Sequence, residues 1–376
     1  MPSIIPTIDL AHDSPARQAE LIKLALGNVG FFRVVNAGPS RQDVEKMFEY
    51  SESFFSLPMA TKETYLAGRS GSGYTKLMSQ ALGEGKRDHK ETFSYGKYCA
   101  NTTQQMPPPF QDSTPGGQEA HQTIKRFYKD CHQVSELLLE LFALALDLER
   151  THFKQSHSFG LNTAMSLIHY PALNEAEAKA LSTIDIRAGG ESFLNATRHD
   201  TDPTREHKDW GSMTLLFQQP RGQPGLQVHL PSSLIRPDDP QASPESYEWY
   251  PAPIPEAHQD EHAGFLVNVG LGMELWSNGA YKATMHRVIF PGEEAGSESV
   301  QDRHTIGFFV QPDDHVAFQP ILPGGKVDTS TKAITSGELF DMKLQESMER
   351  FQKHFAFSGG DEKVKKDVQV ENAVVV

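Results

Sequence analysis

His207-Lys208-Asp209-Trp210-Gly211-Ser212-Met213-Thr214-Leu215-Leu216-Phe217-Gln218 is the stretch on which the reading of this chain turns. It opens with His-x-Asp and runs into a β-prone segment rich in Thr, Leu and Phe. In an extended segment residues i and i+2 share a face, so His207 and Asp209 can present both side chains to one ion. The triplet alone says little. In a chain with sixteen His it arises about once by chance. It recurs at His258-Gln259-Asp260, inside an acidic, Pro-rich run that reads as a solvated loop. Only the first copy leads directly into a strand.

A third ligand must come from elsewhere. His286 is the best placed, in the strand-like run after the turn at Trp276-Ser277-Asn278-Gly279. Two His and one carboxylate form the facial triad of non-haem Fe(II) oxygenases. Three protein ligands hold one face of an octahedron and leave three positions for a bidentate co-substrate and O₂. Such a site needs no thiolate, which suits a chain whose only cysteines are Cys99 and Cys131.

Outward from this stretch, short β-type runs alternate with turns at 166–170, 225–230, 264–269, 281–290 and 305–311. Many short strands between Gly/Pro turns predict an all-β sandwich or barrel. Two segments read as surface insertions, 172–205 and 231–262. Upstream the texture is mixed. Ser14-Pro15 and Ser40 cap two helices around the β-prone Phe31–Val35. Residues 66–113 read as a long, partly structured loop region, and Lys90-Glu91 as a structural ion pair. Thr114-Pro115 opens the clearest helix, with Ile124, Phe127, Cys131, Val134, Leu138, Leu141, Ala145 and Leu148 at spacings of three and four. A last capped helix is predicted near 336–355. The expected organisation is a mixed α/β region over 1–160, a catalytic core over 161–357 and a mobile tail over 358–376.

Composition narrows the function. The 376 residues carry a formal net charge of −14, with 38% hydrophobic and 22% charged residues. That balance argues against a sequence-independent nucleic-acid binder and an anionic membrane surface as partners. Two cysteines rule out a disulfide framework and a Cys-rich zinc site. No signal peptide and no membrane-length apolar run is seen, so a cytoplasmic location is expected. Oligomeric state is left open.

In order along the chain stand Ile5-Pro-Thr-Ile-Asp-Leu10, Gly30-Phe-Phe-Arg-Val-Val-Asn-Ala-Gly38, Phe55-Ser-Leu-Pro58, Lys90-Glu-Thr-Phe93 and Leu167-Ile-His-Tyr-Pro171. They are followed by His207-x-Asp209, Gly225-Leu-Gln-Val228, Asn268-Val-Gly270, Trp276-Ser-Asn-Gly279, His286-Arg-Val288 and Arg303-His-Thr305. This series resembles the isopenicillin N synthase-like branch of the Fe(II)/2-oxoglutarate-dependent dioxygenases over most of residues 4–355. Asn36-Ala37-Gly38 lacks the family's usual His, and Leu271 replaces its usual Asp. Both departures read as structural.

The resemblance implies a double-stranded β-helix, or jelly roll, flanked by amino-terminal helices. It implies Fe(II) held by His207, Asp209 and His286 as the catalytic and metal-binding residues, with 2-oxoglutarate and O₂ as co-substrates. Arg303 would pair with the far carboxylate of 2-oxoglutarate, which a guanidinium fork matches. Thr305 would donate its hydroxyl and Tyr170 would touch the co-substrate. Phe93, Tyr95, Asn195 and Trp210 are candidates for the substrate pocket, Phe93 and Tyr95 standing equally as core. The implied activity is hydroxylation, desaturation or ring rearrangement of a small organic molecule in secondary metabolism. Two other readings stay open here: a 2-oxoglutarate-independent Fe(II) oxidase, and a non-catalytic jelly-roll binding protein.

Overall fold

The computed structural model describes residues 3–67, 72–77, 81–83, 86–96, 104–173, 186–188, 207–255, 261–290 and 300–356. The 358–376 tail, most of the 172–205 insertion and the second His-x-Asp triplet lie outside the described residues.

Two sheets make the frame. The larger has eight strands in the order Thr7–Asp9, Phe31–Val35, Phe265–Val269, Met213–Gln218, Arg303–Val310, Ala164–Tyr170, Glu91–Gly96 and Gly73–Thr75. All its pairings are antiparallel except the first. The smaller runs Tyr247–Pro251, Leu226–Pro231, His286–Ile289 and Ile186–Ala188. Its inward residues Leu226, Val228, Leu230 and Val288 pack with Phe31, Tyr170 and Leu266 of the larger sheet. The two sheets therefore face each other around a shared interior, the jelly roll expected from the sequence. Strands from before residue 160 are hydrogen-bonded into the same large sheet as those of the core.

The other face of the large sheet carries the main core. Gly117–Ala145 is the predicted long helix, and its Phe127, Tyr128 and Phe142 meet Phe217, Phe308 and Phe32 of the sheet. Leu138 and Leu141 are fully buried, each worth about 1.5–3 kcal/mol. Ser14 and Ser40 cap Pro15–Asn28 and Arg41–Phe55 by accepting from the backbone N–H groups of Arg17 and Asp43. The carboxyl-terminal helix spans Ser336–Ala356.

Two regions differ from expectation. The 231–262 segment holds a strand, Tyr247–Pro251, that pairs with residues 227–231 of the Leu226–Pro231 strand. It is an edge strand with half-buried central residues, ends in Pro251 and lies within a run rich in Pro, Asp and Glu, which masks its signal. The 66–113 region supplies the Gly73–Thr75 and Glu91–Gly96 strands. Among the described residues no helix is long and apolar enough to cross a membrane.

Candidate metal centre

Strand pairing brings two of the three predicted ligands together. His207 and His286 exchange both backbone hydrogen bonds, at 3.1 and 3.0 Å, and their rings lie 4.0 Å apart. Asp209 follows His207 by two residues. Its backbone carbonyl accepts from Leu271 N–H at 2.8 Å, which ties the loop to the start of the Leu271–Trp276 helix. That closeness requires glycine at 270. A Cβ there would lie 2.3 Å from the Gly211 carbonyl oxygen and 2.9 Å from that of Asp209.

The Asp209 carboxylate is divided between two tasks. Oδ2 accepts from Thr214 Oγ1 at 2.6 Å and from Asn268 Nδ2 at 2.7 Å. Oδ1 faces His207 Nε2 at 3.6 Å and His286 Nε2 at 3.8 Å. His286 Nδ1 donates to the Thr284 carbonyl at 3.1 Å, so its Nε2 keeps a free lone pair. One ligand atom from each of the three residues lies within 4.8 Å of the others, an arrangement that can hold a divalent cation. Burial would raise the Asp209 carboxyl, but facing His286 and His207, with the bonds from Thr214 and Asn268, hold it below its ordinary value. Burial, reinforced by His286, pushes the His207 imidazole well down. Both side chains therefore favour the deprotonated forms that bind metals.

The same interior holds a buried guanidinium. Arg303 pairs in register with Tyr170, and Thr305 with Ile168 and Gln218. Residues opposite one another in an antiparallel pair share a face, so Arg303, Thr305, Tyr170, Gln218 and Thr214 all point toward the smaller sheet. Arg303 is 4% exposed and its guanidinium lies 4.9 Å from the Tyr170 ring centre. Nη2 donates weakly to Gln218 Oε1 at 3.4 Å, and Nη1 has no hydrogen-bond partner among the described residues. Burial pulls the Arg303 pKa down. A buried donor left without an acceptor is costly, and a carboxylate would satisfy it. The His/Asp/His donor set likewise suits Fe(II).

The substrate candidates fare differently. Phe93 and Tyr95 are fully buried in the main core, beside Phe54 and Phe110. They pair with Leu167 and Met165, which face the helices, so they cannot line the interior between the sheets. The period-2 alternation puts Thr92 and Ser94 there instead. Trp210 packs edge-on against Phe340 of the carboxyl-terminal helix, at 5.7 Å. Asn195 lies outside the described residues. Lys90 and Glu91 are not an ion pair with each other. Glu91 turns to the helix face, bonded by Lys62 and His169 at 2.8 Å each and by Tyr74.

Sequence reasoning missed Thr214, Asn268 and Gln218 as partners of the site. A signal existed for two of them, since Thr214 and Gln218 fall on the inward phase of the strand after Asp209. Asn268 gives no such sign, because all five residues of its strand are buried.

Comparison with known proteins gives a consistent picture. A family model described as non-haem dioxygenase in morphine synthesis, N-terminal, matches residues 5–113. One described as the 2OG-Fe(II) oxygenase superfamily matches residues 191–312. A 2-oxoglutarate-Fe(II) type oxidoreductase of Metarhizium rileyi is 26% identical over 339 residues, covering 84% of this chain and 83% of that protein. A 2-oxoglutarate-dependent dioxygenase of Aspergillus rugulosus is 27% identical over 325 residues, covering 82% and 83%. Among solved structures, Neurospora crassa T7H in complex with alpha-KG and thymine aligns with a TM-score of 0.69 at 23% identity, over 91% of this chain and 97% of that one.

Proposed function

The chain belongs to the Fe(II)/2-oxoglutarate-dependent dioxygenases, and we propose that His207, Asp209 and His286 are its iron ligands while Arg303 and Thr305 seat 2-oxoglutarate. The observation that carries this is the convergence of three ligand atoms in the same interior as a buried guanidinium whose Nη1 has no hydrogen-bond partner among the described residues. Bound there, Fe(II) with 2-oxoglutarate and O₂ supplies the oxidising power to break a substrate C–H bond, with succinate and CO₂ as co-products.

The chain's own groups do the rest. Asp209 offers Oδ1 because Thr214 and Asn268 hold Oδ2. His286 is fixed in the ligating tautomer by the Thr284 carbonyl. Arg303 and Thr305 orient the far carboxylate of the co-substrate, and Tyr170 packs under the guanidinium. The apolar interior of Phe31, Leu226, Val228 and Val288 excludes water from the reacting atoms. The substrate is a small organic molecule, in our reading one of secondary metabolism. Residues 161–357 would form the catalytic core, with 1–160 lending strands to its large sheet. The buried free thiol of Cys131 suits the cytoplasm.

The test is anaerobic. Fe(II) and then 2-oxoglutarate are added to the metal-free protein, and the weak visible metal-to-ligand charge-transfer band is followed, with Arg303→Ala as control. A band that saturates with 2-oxoglutarate and weakens at least tenfold in apparent affinity in the control is expected. Bound iron without a band would instead indicate an Fe(II) oxidase, and no bound iron a binding protein.

A further inference from the structure

Lys90 stands one residue before the Glu91–Gly96 strand. Glu91 pairs with His169, and the next residue, Tyr170, pairs with Arg303. Since Glu91 faces the helices, alternation turns Lys90 to the interior, level with Tyr170 and Arg303. The other sheltered lysines are matched, Lys62 by Glu91, Lys208 by Glu274 and Lys343 by Glu346. Lys90 has no hydrogen bond or ion pair among the described residues. A half-buried ammonium without a counter-ion is stabilised by whatever anion a ligand brings.

We propose that Lys90 binds the carboxylate of the primary substrate, which is thus a small organic acid with one negative charge. The argument rests on the function proposed above and on charge balance. The two charges of Fe(II) are matched by Asp209 and by the carboxylate of 2-oxoglutarate at the metal. Arg303 matches the other carboxylate. Lys90 is the charge left over, and it calls for one further negative charge. A phosphate monoester brings about two near neutral pH and overshoots. The inward surface beside Lys90 suits the body of such an acid. Ile168 and Leu216 are apolar, and the Ser94 and Ser166 hydroxyls form a polar pair at 2.8 Å.

The test uses the full chain loaded anaerobically with Fe(II) and 2-oxoglutarate. The probes are small monocarboxylic acids matched with their primary amides, phenylacetate and phenylacetamide being the first pair. Binding is read as a rise in melting temperature and a shift of the charge-transfer band. The acids should bind and the amides should not. Lys90→Met should weaken each binding acid at least tenfold, Lys90→Arg should keep most of the affinity, and 2-oxoglutarate saturation should move less than twofold in both. Acids that bind no better than amides, or equally well to Lys90→Met, overturn the proposal. So does a loss of 2-oxoglutarate affinity in Lys90→Met as large as the loss for the acids, which would assign Lys90 to the co-substrate. If Lys90→Met does not fold, Lys90→Gln makes the same comparison. Absence of the band in the unaltered protein would be the failure of the proposed function. Melting temperatures of the metal-free chain with acids and amides would still decide this one.

Discussion

A carboxylate that ligates a metal through one oxygen must have the other restrained, or it swings between binding modes. In Asp209 the restraint is two short hydrogen bonds on Oδ2, from Thr214 and Asn268. Partners of this kind typically tune metal affinity by 10–100-fold. Asn268→Ala is therefore expected to weaken Fe(II) binding by about tenfold or more. It should also lower stability by about 1–3 kcal/mol, since Asn268 is 3% exposed and Asp209 loses a donor. Anaerobic Fe(II) titration of the metal-free variant, with urea unfolding alongside, separates the two effects. Unchanged iron affinity would show that Thr214 alone suffices. His207, Asp209 and His286 could be singled out in the sequence by residue type and flanking pattern, and the fold brings the three together. Asn268 could not, because its bond to Asp209 spans 59 positions and its strand shows no alternation to mark an inward phase.

At the scale of elements, alternation decides which strand residues face the interior between the sheets. The Glu91–Gly96 strand puts Glu91, Phe93 and Tyr95 under the helices and Thr92 and Ser94 inside the barrel. The sequence displayed the alternation but not which phase faced which layer, because both faces of this sheet are covered. An aromatic residue near a predicted site is thus poor evidence for a pocket. Phe93 touches Phe54, Tyr95 and Phe110 in the core. Phe93→Ala is expected to cost about 3–5 kcal/mol of stability through the cavity it leaves. Its effect on 2-oxoglutarate saturation, measured below the melting temperature, should stay within twofold. A selective loss of ligand affinity in a normally stable variant would place Phe93 on the wrong face. Elements with strong local signals were predicted closely, Met213–Gln218 and the Gly117–Ala145 helix among them. The Tyr247–Pro251 strand was hidden because its existence depends on a partner, Leu226–Pro231, rather than on its own sequence.

Across the whole molecule, the helical layer and the large sheet meet at His157. Its Nδ1 donates to the Phe153 carbonyl at 2.7 Å, and its Nε2 accepts from Ser212 Oγ at 2.9 Å, three residues after Asp209. The ring also stacks on Trp276 at 6.3 Å. Both nitrogens are satisfied only in the neutral form, and full burial pushes the pKa from 6.5 down to about 4. The unfolded chain therefore takes up this proton at a higher pH than the folded one does. The contribution of neutral His157 to stability is complete above about pH 6.5 and is lost progressively as pH falls toward 4. A shift of this size amounts to about 3 kcal/mol at most. Burial also lowers His132, His152 and His229, so the whole chain should lose stability on acidification with the same sign. Comparing the native chain with His157→Gln isolates the single group. In urea unfolding of the metal-free proteins, the difference in stability between them should be largest at pH 7 to 8 and shrink by about 2–3 kcal/mol by pH 4.5. A difference that stays constant across that range would mean that His157 keeps an ordinary affinity for its proton in the fold, and that the contact between the two layers is indifferent to charge.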